Sequence, residues 1–214
     1  IHCEVIPNGY DEADFLNLSE LQESNYFKLS FIGNLKTNQN PENLWKALAE
    51  VIKEEPSFST DLRLNFTGSI NPDVEKDLGR YNLLPNTTIE KYVPHDKALK
   101  KMQSTTILLY IIPDAPDNKG VLTGKLFEYL AAKRPFLSIG PPDGDAATIL
   151  DETNAGAMFS PEDYLGIKNQ IKHLYNLWKS GQVFKLYPDP EKVKKYERKR
   201  LTRKLANVLD TLTV

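Results

Sequence analysis

The sequence is poor in the residues that build disulfide and metal scaffolds. Its 214 residues include one cysteine, Cys3, which excludes an intrachain disulfide framework and is typical of a reducing compartment. The histidines His2, His95 and His173 are scattered and give no metal-ligand spacing. No apolar run approaches the length of a membrane span. The net charge of -2 gives no basic field of the kind that indicates nucleic acid binding, so no nucleic acid partner is expected.

Two nucleotide-binding signatures are also absent. No G-x-G-x-x-G follows the first predicted strand, where residues 31–35 (FIGNL) carry a single glycine, and the chain has no G-x-x-x-x-G-K-[ST]. Nicotinamide cofactors and P-loop ATP hydrolysis are therefore disfavoured. The composition, 40% apolar and 26% charged, is that of an ordinary globular domain.

Strand-like and helix-like segments alternate along the chain. The apolar and alternating runs predict strands at residues 29–35, 61–68, 87–93, 105–112, 135–140 and 155–160. Helices are predicted at residues 41–54, 72–81, from 94, 123–132, 145–152, 161–181 and 191–212. Six strand–helix repeats predict an α/β fold, a Rossmann-like doubly wound parallel sheet with helices on both faces. Ligands of such sheets bind beyond the carboxyl ends of the strands.

The two ends of the chain raise separate expectations. Residues 1–6 form a short strand-like run without an initiator methionine, and a turn at Pro7-Asn8-Gly9 follows, so we expect the C-terminal part of a longer protein. Basic residues crowd the last predicted helix between residues 191 and 204, which makes anionic lipid one candidate partner. The alternative is a solvated face opposite an apolar one formed by Val193, Leu201, Leu205, Val208 and Leu209.

The most informative segment lies between the strands predicted at residues 105–112 and 135–140. A glycine-bearing loop, residues 120–124, leads there into a helix whose first N–H groups and dipole favour an anion. Lys125 adds a positive charge, and Glu128 lies one turn further on, where a carboxylate suits a pair of hydroxyl groups. The alternative interpretation is a generic helix start with a solvated Lys125–Glu128 surface pair.

Two smaller signals favour structural roles. His95 follows Pro94 at a predicted helix start and is interpreted as a cap or surface residue, with a binding role at most. The DGD sequence at residues 143–145 is interpreted as a turn with an N-cap rather than as a cation site.

Four segments resemble, in order, the C-terminal domain of GT-B glycosyltransferases of the family 4, or group 1, type. Residues 5–11 (VIPNGYD) are similar to the family's entry segment IPNGVD, and residues 31–35 (FIGNL) to its F-x-G-R-L strand. Residues 92–95 (YVPH) resemble its base-side loop. Residues 124–135 (GKLFEYLAAKRP) are close to the KLFEYLAAGKP form of its donor motif. The resemblance covers nearly the whole chain and implies the C-terminal half of a GT-B fold.

The resemblance implies a site for a nucleotide-diphosphate sugar, UDP- or GDP-linked, with no metal or other cofactor. Glu128 would accept hydrogen bonds from the ribose, and the backbone of Tyr92 and Val93 would read the base. The diphosphate would be held by the Thr123 hydroxyl and the N–H groups of Gly124, Lys125 and Leu126. Gly33 and Asn34 would lie near the β-phosphate, with Lys36 in support.

The sequence departs from the family pattern at three positions. Asn34 stands where family members often have Arg, and Gln39 stands near the position of a Lys that Lys36 would replace. The first glutamate of the family's E-x7-E pattern corresponds to Val121, which cannot serve. The candidate replacements in the neighbouring loop are Asp114 and Asp117.

The implied organisation has an entry segment (residues 1–28), a nucleotide-sugar-binding domain (29–187) and a final helix (188–214) that crosses back to an N-terminal domain. That domain would supply the catalytic base, so the chain alone is expected to bind a donor but transfer nothing. The implied activity is hexosyl transfer to a polysaccharide or glycolipid, in the cytoplasm, with attachment to the inner membrane face and a membrane-associated acceptor as further expectations. The alternatives are a sugar-nucleotide epimerase of GT-B fold and a non-enzymatic α/β interaction domain of flavodoxin or receiver type.

Overall fold

A parallel sheet of six strands organises the chain. The computed structural model describes residues 3–16 and 24–211. The strands are β1 (Phe27–Ile32), β2 (Leu62–Thr67), β3 (Thr87–Glu90), β4 (Ile107–Ile111), β5 (Phe136–Ile139) and β6 (Met158–Phe159). They pair in the order β3-β2-β1-β4-β5-β6, every pair parallel. The predicted six-stranded, doubly wound α/β fold is confirmed.

Helices cover the sheet on both faces. They are α1 (Ala13–Leu16), α2 (Glu42–Glu54), α3 (Pro56–Asp61), α4 (Pro72–Arg80), α5 (His95–Gln103), α6 (Gly124–Ala131), α7 (Asp145–Glu152), α8 (Tyr164–Lys179), α9 (Pro190–Val193) and α10 (Arg198–Thr211). One core layer, which includes Trp45, Leu78 and Tyr175, joins the sheet to α2, α4 and α8. The other, which includes Leu99 and Phe127, joins it to α5, α6 and α7.

The central strands separate near their carboxyl ends. Strands β1 and β4 pair only at Leu29 with Ile107 and Ser30 with Leu108. Beyond that point the hydroxyl of Tyr129, from α6, accepts a hydrogen bond of 2.9 Å from the Ile32 N–H. The strand order reverses direction between β1 and β4, and this is where doubly wound sheets open a ligand crevice. The buried Tyr129 side chain therefore ties α6 to the end of β1 at this point.

Three sequence predictions about secondary structure are wrong. Residues 3–6 form no strand, and residues 1–2 of that predicted run lie outside the described part of the chain. Helix α3 lies between the helix predicted at residues 41–54 and the strand predicted at residues 61–68, where no helix is predicted. Pro56 begins it and Phe58 buries its apolar side. The helix predicted at residues 191–212 is two helices, α9 and α10, and Leu212 lies beyond the described residues.

The break in the final helix has a backbone cause. Glu197 has an extended conformation (φ -64°, ψ 129°), and its neighbours pair with the entry segment. The Tyr10 N–H donates to the Tyr196 carbonyl at 3.1 Å, and the Arg198 N–H donates to the Tyr10 carbonyl at 2.9 Å. Because these groups bond to another segment, the helix cannot continue through them. On the predicted apolar face, Leu201 is buried whereas Leu205 is 45% exposed.

Candidate functional site

The loops that follow β1 and β2 are joined through their backbones. The Gly33 N–H donates to the Thr67 carbonyl at 2.7 Å, and the Asn34 side-chain oxygen accepts from the Ser69 hydroxyl at 2.9 Å. Gly33 and Gly68 both have positive φ, +125° and +121°. A Cβ on Gly68 would lie 2.4 Å from the Gly33 carbonyl oxygen. Glycine at both positions therefore allows the two loops to approach closely.

A cleft of about 280 Å³ opens beside these loops at the carboxyl edge of the sheet. Its walls include Gly33, Asn34 and Gly68 on one side and Tyr92, Val93 and His95 on the other. The sequence placed Tyr92 and Val93 in a strand, but β3 ends at Glu90. Their backbone groups take part in no hydrogen bond among the described residues. They are therefore available to a ligand that enters the cleft.

The start of α6 also has unused donors. Thr123 precedes the helix, and its hydroxyl makes a long contact of 3.4 Å with the Tyr110 hydroxyl. The Leu126 N–H already donates to the Thr123 carbonyl at 3.1 Å. The Gly124 and Lys125 N–H groups have no acceptor within residues 3–16 and 24–211. Of the three predicted backbone donors, two are therefore open and the third would have to share its proton.

The Lys125 side chain does not form the surface pair that its spacing allowed. Its Nζ lies 3.6 Å from the centre of the Phe31 ring, in β1. The same atom is 2.9 Å from the point that a Cβ on Gly33 would occupy. Burial lowers the pKa of the Lys125 ammonium to about 7, and the nearby charge of Glu128 opposes this shift. Lys125 therefore points toward the carboxyl end of β1.

Glu128 lies on α6 one turn after Lys125 and is half-buried. Burial raises the pKa of its carboxyl, whereas the charges of His95, Arg198 and Lys125 lower it and that of Asp14 raises it. His95, which lines the cleft, is 3.3 Å from Asp14 and is otherwise a surface residue, as expected. The Glu128 carboxylate accepts no hydrogen bond from any residue in the described ranges. It is therefore a free acceptor beside the cleft.

The positions that depart from the family pattern take different places. Gln39 is buried, and its amide donates to the Ile111 carbonyl at 3.0 Å, so it is not available to a ligand. Lys36 is exposed and forms no ion pair within the described chain. Val121 is half-buried. Asp114 and Asp117 are exposed in the β4–α6 loop. The roles of Lys36 and of the two aspartates stay predictions.

The DGD turn has no capping side chain. The predicted turn with an N-cap is confirmed, since Gly144 is the N-cap of α7 and Asp145 its first residue, but no side chain caps the helix. Asp143 instead forms an ion pair with Lys119. Within the described ranges, no three His, Cys, Asp or Glu side chains are grouped to hold a metal. No helix in the same ranges is both long and apolar enough to cross a bilayer.

Solved glycosyltransferases share this fold. No family model and no curated protein sequence matches the chain. A glycosyltransferase from Rickettsia africae superposes with a TM-score of 0.73 at 14% identity, covering 96% of this chain and 56% of its own. Sucrose-phosphate synthase from Thermosynechococcus elongatus gives 0.70 at 14% identity, covering 98% of this chain and 52% of its own. The chain therefore spans about half the length of these two enzymes.

One solved structure is an isolated domain. The C-terminal domain of a glycosyl transferase group 1 family protein from Francisella tularensis has a TM-score of 0.65 at 14% identity. The match covers 89% of this chain and 100% of that domain. At such identities the likeness establishes the architecture. The chain has the fold of the C-terminal domain of a GT-B glycosyltransferase.

Proposed function

We propose that the chain is the donor domain of a GT-B glycosyltransferase and binds a nucleotide-diphosphate sugar at the carboxyl edge of its sheet. The observation that carries this proposal is the arrangement on α6. The helix start carries two open N–H groups, and the Lys125 side chain from it reaches Gly33, which lines the cleft. One turn later the free carboxylate of Glu128 is within electrostatic range of His95, which lines the other side of the cleft with the unpaired backbone at Tyr92 and Val93. Donors for phosphate and an acceptor for hydroxyl groups thus follow one another on α6, next to the cleft.

Each part of the ligand has a matching protein group. The N–H groups of Gly124 and Lys125 carry the positive end of the helix dipole and suit the diphosphate. A carboxylate accepts two hydrogen bonds at once, so Glu128 suits the paired hydroxyls of a ribose. The N–H and C=O groups of Val93 suit a base edge. Asn34 and Gly33 would lie near the β-phosphate, where charge develops as the sugar leaves.

The transfer itself requires more than this chain. We infer that an N-terminal domain supplies the acceptor site and the catalytic base, and that the sugar is a hexose carried on UDP or GDP. The acceptor would be a polysaccharide or glycolipid, used in the cytoplasm or at the inner face of the membrane. The half-length match to the two whole enzymes supports a partner domain.

The ribose assignment is tested with Glu128→Gln. Charge-assisted hydrogen bonds contribute about 1.5–3 kcal/mol, so loss of the carboxylate should weaken UDP or GDP binding by about 10- to 150-fold. Isothermal titration calorimetry measures the dissociation constants, first for a panel of UDP, GDP and ADP with the wild-type protein. The loss should largely disappear for the 2′,3′-dideoxy form of the same nucleotide.

The matched control is Glu54→Gln. Glu54 is an exposed carboxylate at the end of α2, at the opposite edge of the sheet, where it pairs with Lys168 and Lys172. This variant should bind nucleotide like the wild type. Equal weakening of the ribo- and dideoxynucleotide by Glu128→Gln would remove Glu128 from the ribose role. A folded wild-type protein that binds no nucleoside diphosphate would overturn the donor-domain proposal.

A further inference from the structure

The Lys125 ammonium is a largely desolvated cation that forms no ion pair within the described residues. Its nearest groups are the face of the Phe31 ring and the backbone at Gly33, and no carboxylate within the described ranges forms an ion pair with it. Buried charges in proteins are normally paired, because an isolated ammonium loses its hydration without compensation. The aromatic face returns only part of that loss, about 0.5–2 kcal/mol. An anionic ligand would supply the compensation that the protein itself does not.

The position of the Lys125 ammonium shows where an anionic ligand would bind. Lys125 is the second residue of α6, and its own N–H and that of Gly124 are open at the helix start. Its side chain runs toward Gly33, which lines the cleft. An anion between the helix start and the Gly33 loop would lie next to the Nζ. The exposed Lys36 is the other cation on that loop, and Asn34 contributes no charge.

We propose that the Lys125 ammonium binds the terminal phosphate of the nucleoside diphosphate and selects diphosphates over monophosphates. This role rests on the proposed donor site and extends it from the backbone N–H groups to one charged side chain. A phosphate carries more than one negative charge near neutral pH, so it satisfies a buried ammonium better than a neutral ligand does. The Lys125 charge would also stabilise the diphosphate as a leaving group.

The charges around Lys125 predict a pH dependence of this contact. The charge of Glu128, on the same helix, raises the pKa of Lys125. His95, Asp14 and Arg198, on other elements, act electrostatically on the Glu128 carboxylate. With a pKa of about 7 the ammonium loses its proton above neutral pH in the free protein. A bound phosphate raises that pKa, so binding takes up a proton there. Diphosphate affinity should therefore fall as the pH rises, by at most about tenfold per unit.

The experiment compares Lys125→Met, Lys125→Arg and the control Lys119→Met. Lys119 is an exposed lysine in the preceding loop that pairs with Asp143. Calorimetry gives the affinities of UDP, UMP and uridine, or of the guanosine series if the wild type prefers it. Lys125→Met should weaken the diphosphate by about tenfold or more and leave the nucleoside within about twofold. Lys125→Arg should retain part of the preference, and Lys119→Met all of it.

Titrations between about pH 7 and pH 9 provide the second readout, because the terminal phosphate of the ligand is already ionised there. The wild type should lose diphosphate affinity over this range, and Lys125→Met should not. If Lys125→Met binds the diphosphate like the wild type, or weakens diphosphate and nucleoside equally, the side-chain role is overturned while the donor site stands. If the wild type binds nucleosides and diphosphates equally, the role is also overturned.

Discussion

Replacement of Tyr129 by Phe tests whether one buried hydroxyl maintains the crevice between β1 and β4. The Tyr129 side chain is fully buried, and its hydroxyl accepts from the Ile32 N–H at 2.9 Å where the two strands no longer pair. The ring packs edge to face against Tyr110 and at a tilt against Phe136, with centroids 6.4 Å and 6.0 Å away. Phenylalanine keeps these ring contacts and removes only the oxygen.

The expected cost follows from the orphaned donor. A buried N–H left without an acceptor costs about 1–3 kcal/mol, because it loses water without gaining a partner. In a domain of this size each kcal/mol lowers the melting temperature by about 2–4 °C. A cost of about 2 kcal/mol therefore predicts a decrease of about 4–8 °C, measured by circular dichroism or calorimetry.

Tyr110→Phe is the matched control. Tyr110 is equally buried in the same core layer, but its hydroxyl contacts only Thr123, with the side-chain contact a long 3.4 Å. Its removal should cost less than about 1 kcal/mol, because its contacts with Thr123 are longer and weaker than the 2.9 Å bond from Ile32 to Tyr129. Equal effects of the two substitutions, or no change in Tyr129→Phe, would refute the argument that the hydroxyl replaces strand pairing at Ile32.

Two further predictions concern stability. Gly68→Ala should destabilise the fold by more than about 1–3 kcal/mol in chemical denaturation, because the new Cβ would strike the Gly33 carbonyl at a positive φ. The control Gly79→Ala, in α4, should be neutral or stabilise by up to about 1 kcal/mol, and a destabilisation of both variants would refute the steric reasoning. The lowered pKa of Lys125 means that the unfolded chain binds more protons above about pH 7, so wild-type stability should rise relative to Lys125→Met up to about pH 9. Chemical denaturation of both proteins at each pH measures the difference in their free energies of unfolding. A difference that does not change with pH would contradict a desolvated Lys125 ammonium.

The local patterns predicted those elements whose burial follows directly from sequence periodicity. The run at residues 105–112 is apolar throughout, and β4 within it is buried at every position in the centre of the sheet. Helix α7 has the predicted bounds, Asp145–Glu152. The predicted site residues Gly33, Tyr92 and Val93 line one cleft because parallel strands deliver their following loops to the same edge.

Long-range contacts decided what these patterns could not. The spacing of Lys125 and Glu128 suits a helix surface pair, but the ring of Phe31, 94 positions earlier in the chain, receives the Lys125 side chain instead. The last helical run is periodic throughout, yet Tyr10 takes the hydrogen bonds that would continue it. Neither partner lies within the window that a local pattern covers.

The sequence by itself determined the order of the strands and of most helices, the glycine loops and the chemical types at the sheet edge, because these depend on local propensity and periodicity. Only the tertiary structure decided which groups remain free. The Gln39 amide donates to Ile111 and the Leu126 N–H to Thr123. The N–H groups of Gly124 and Lys125, the Lys125 ammonium and the Glu128 carboxylate have no such partner among the described residues. A polar group is available to a ligand only after the fold has assigned partners to its neighbours, and that assignment is made by residues distant in sequence.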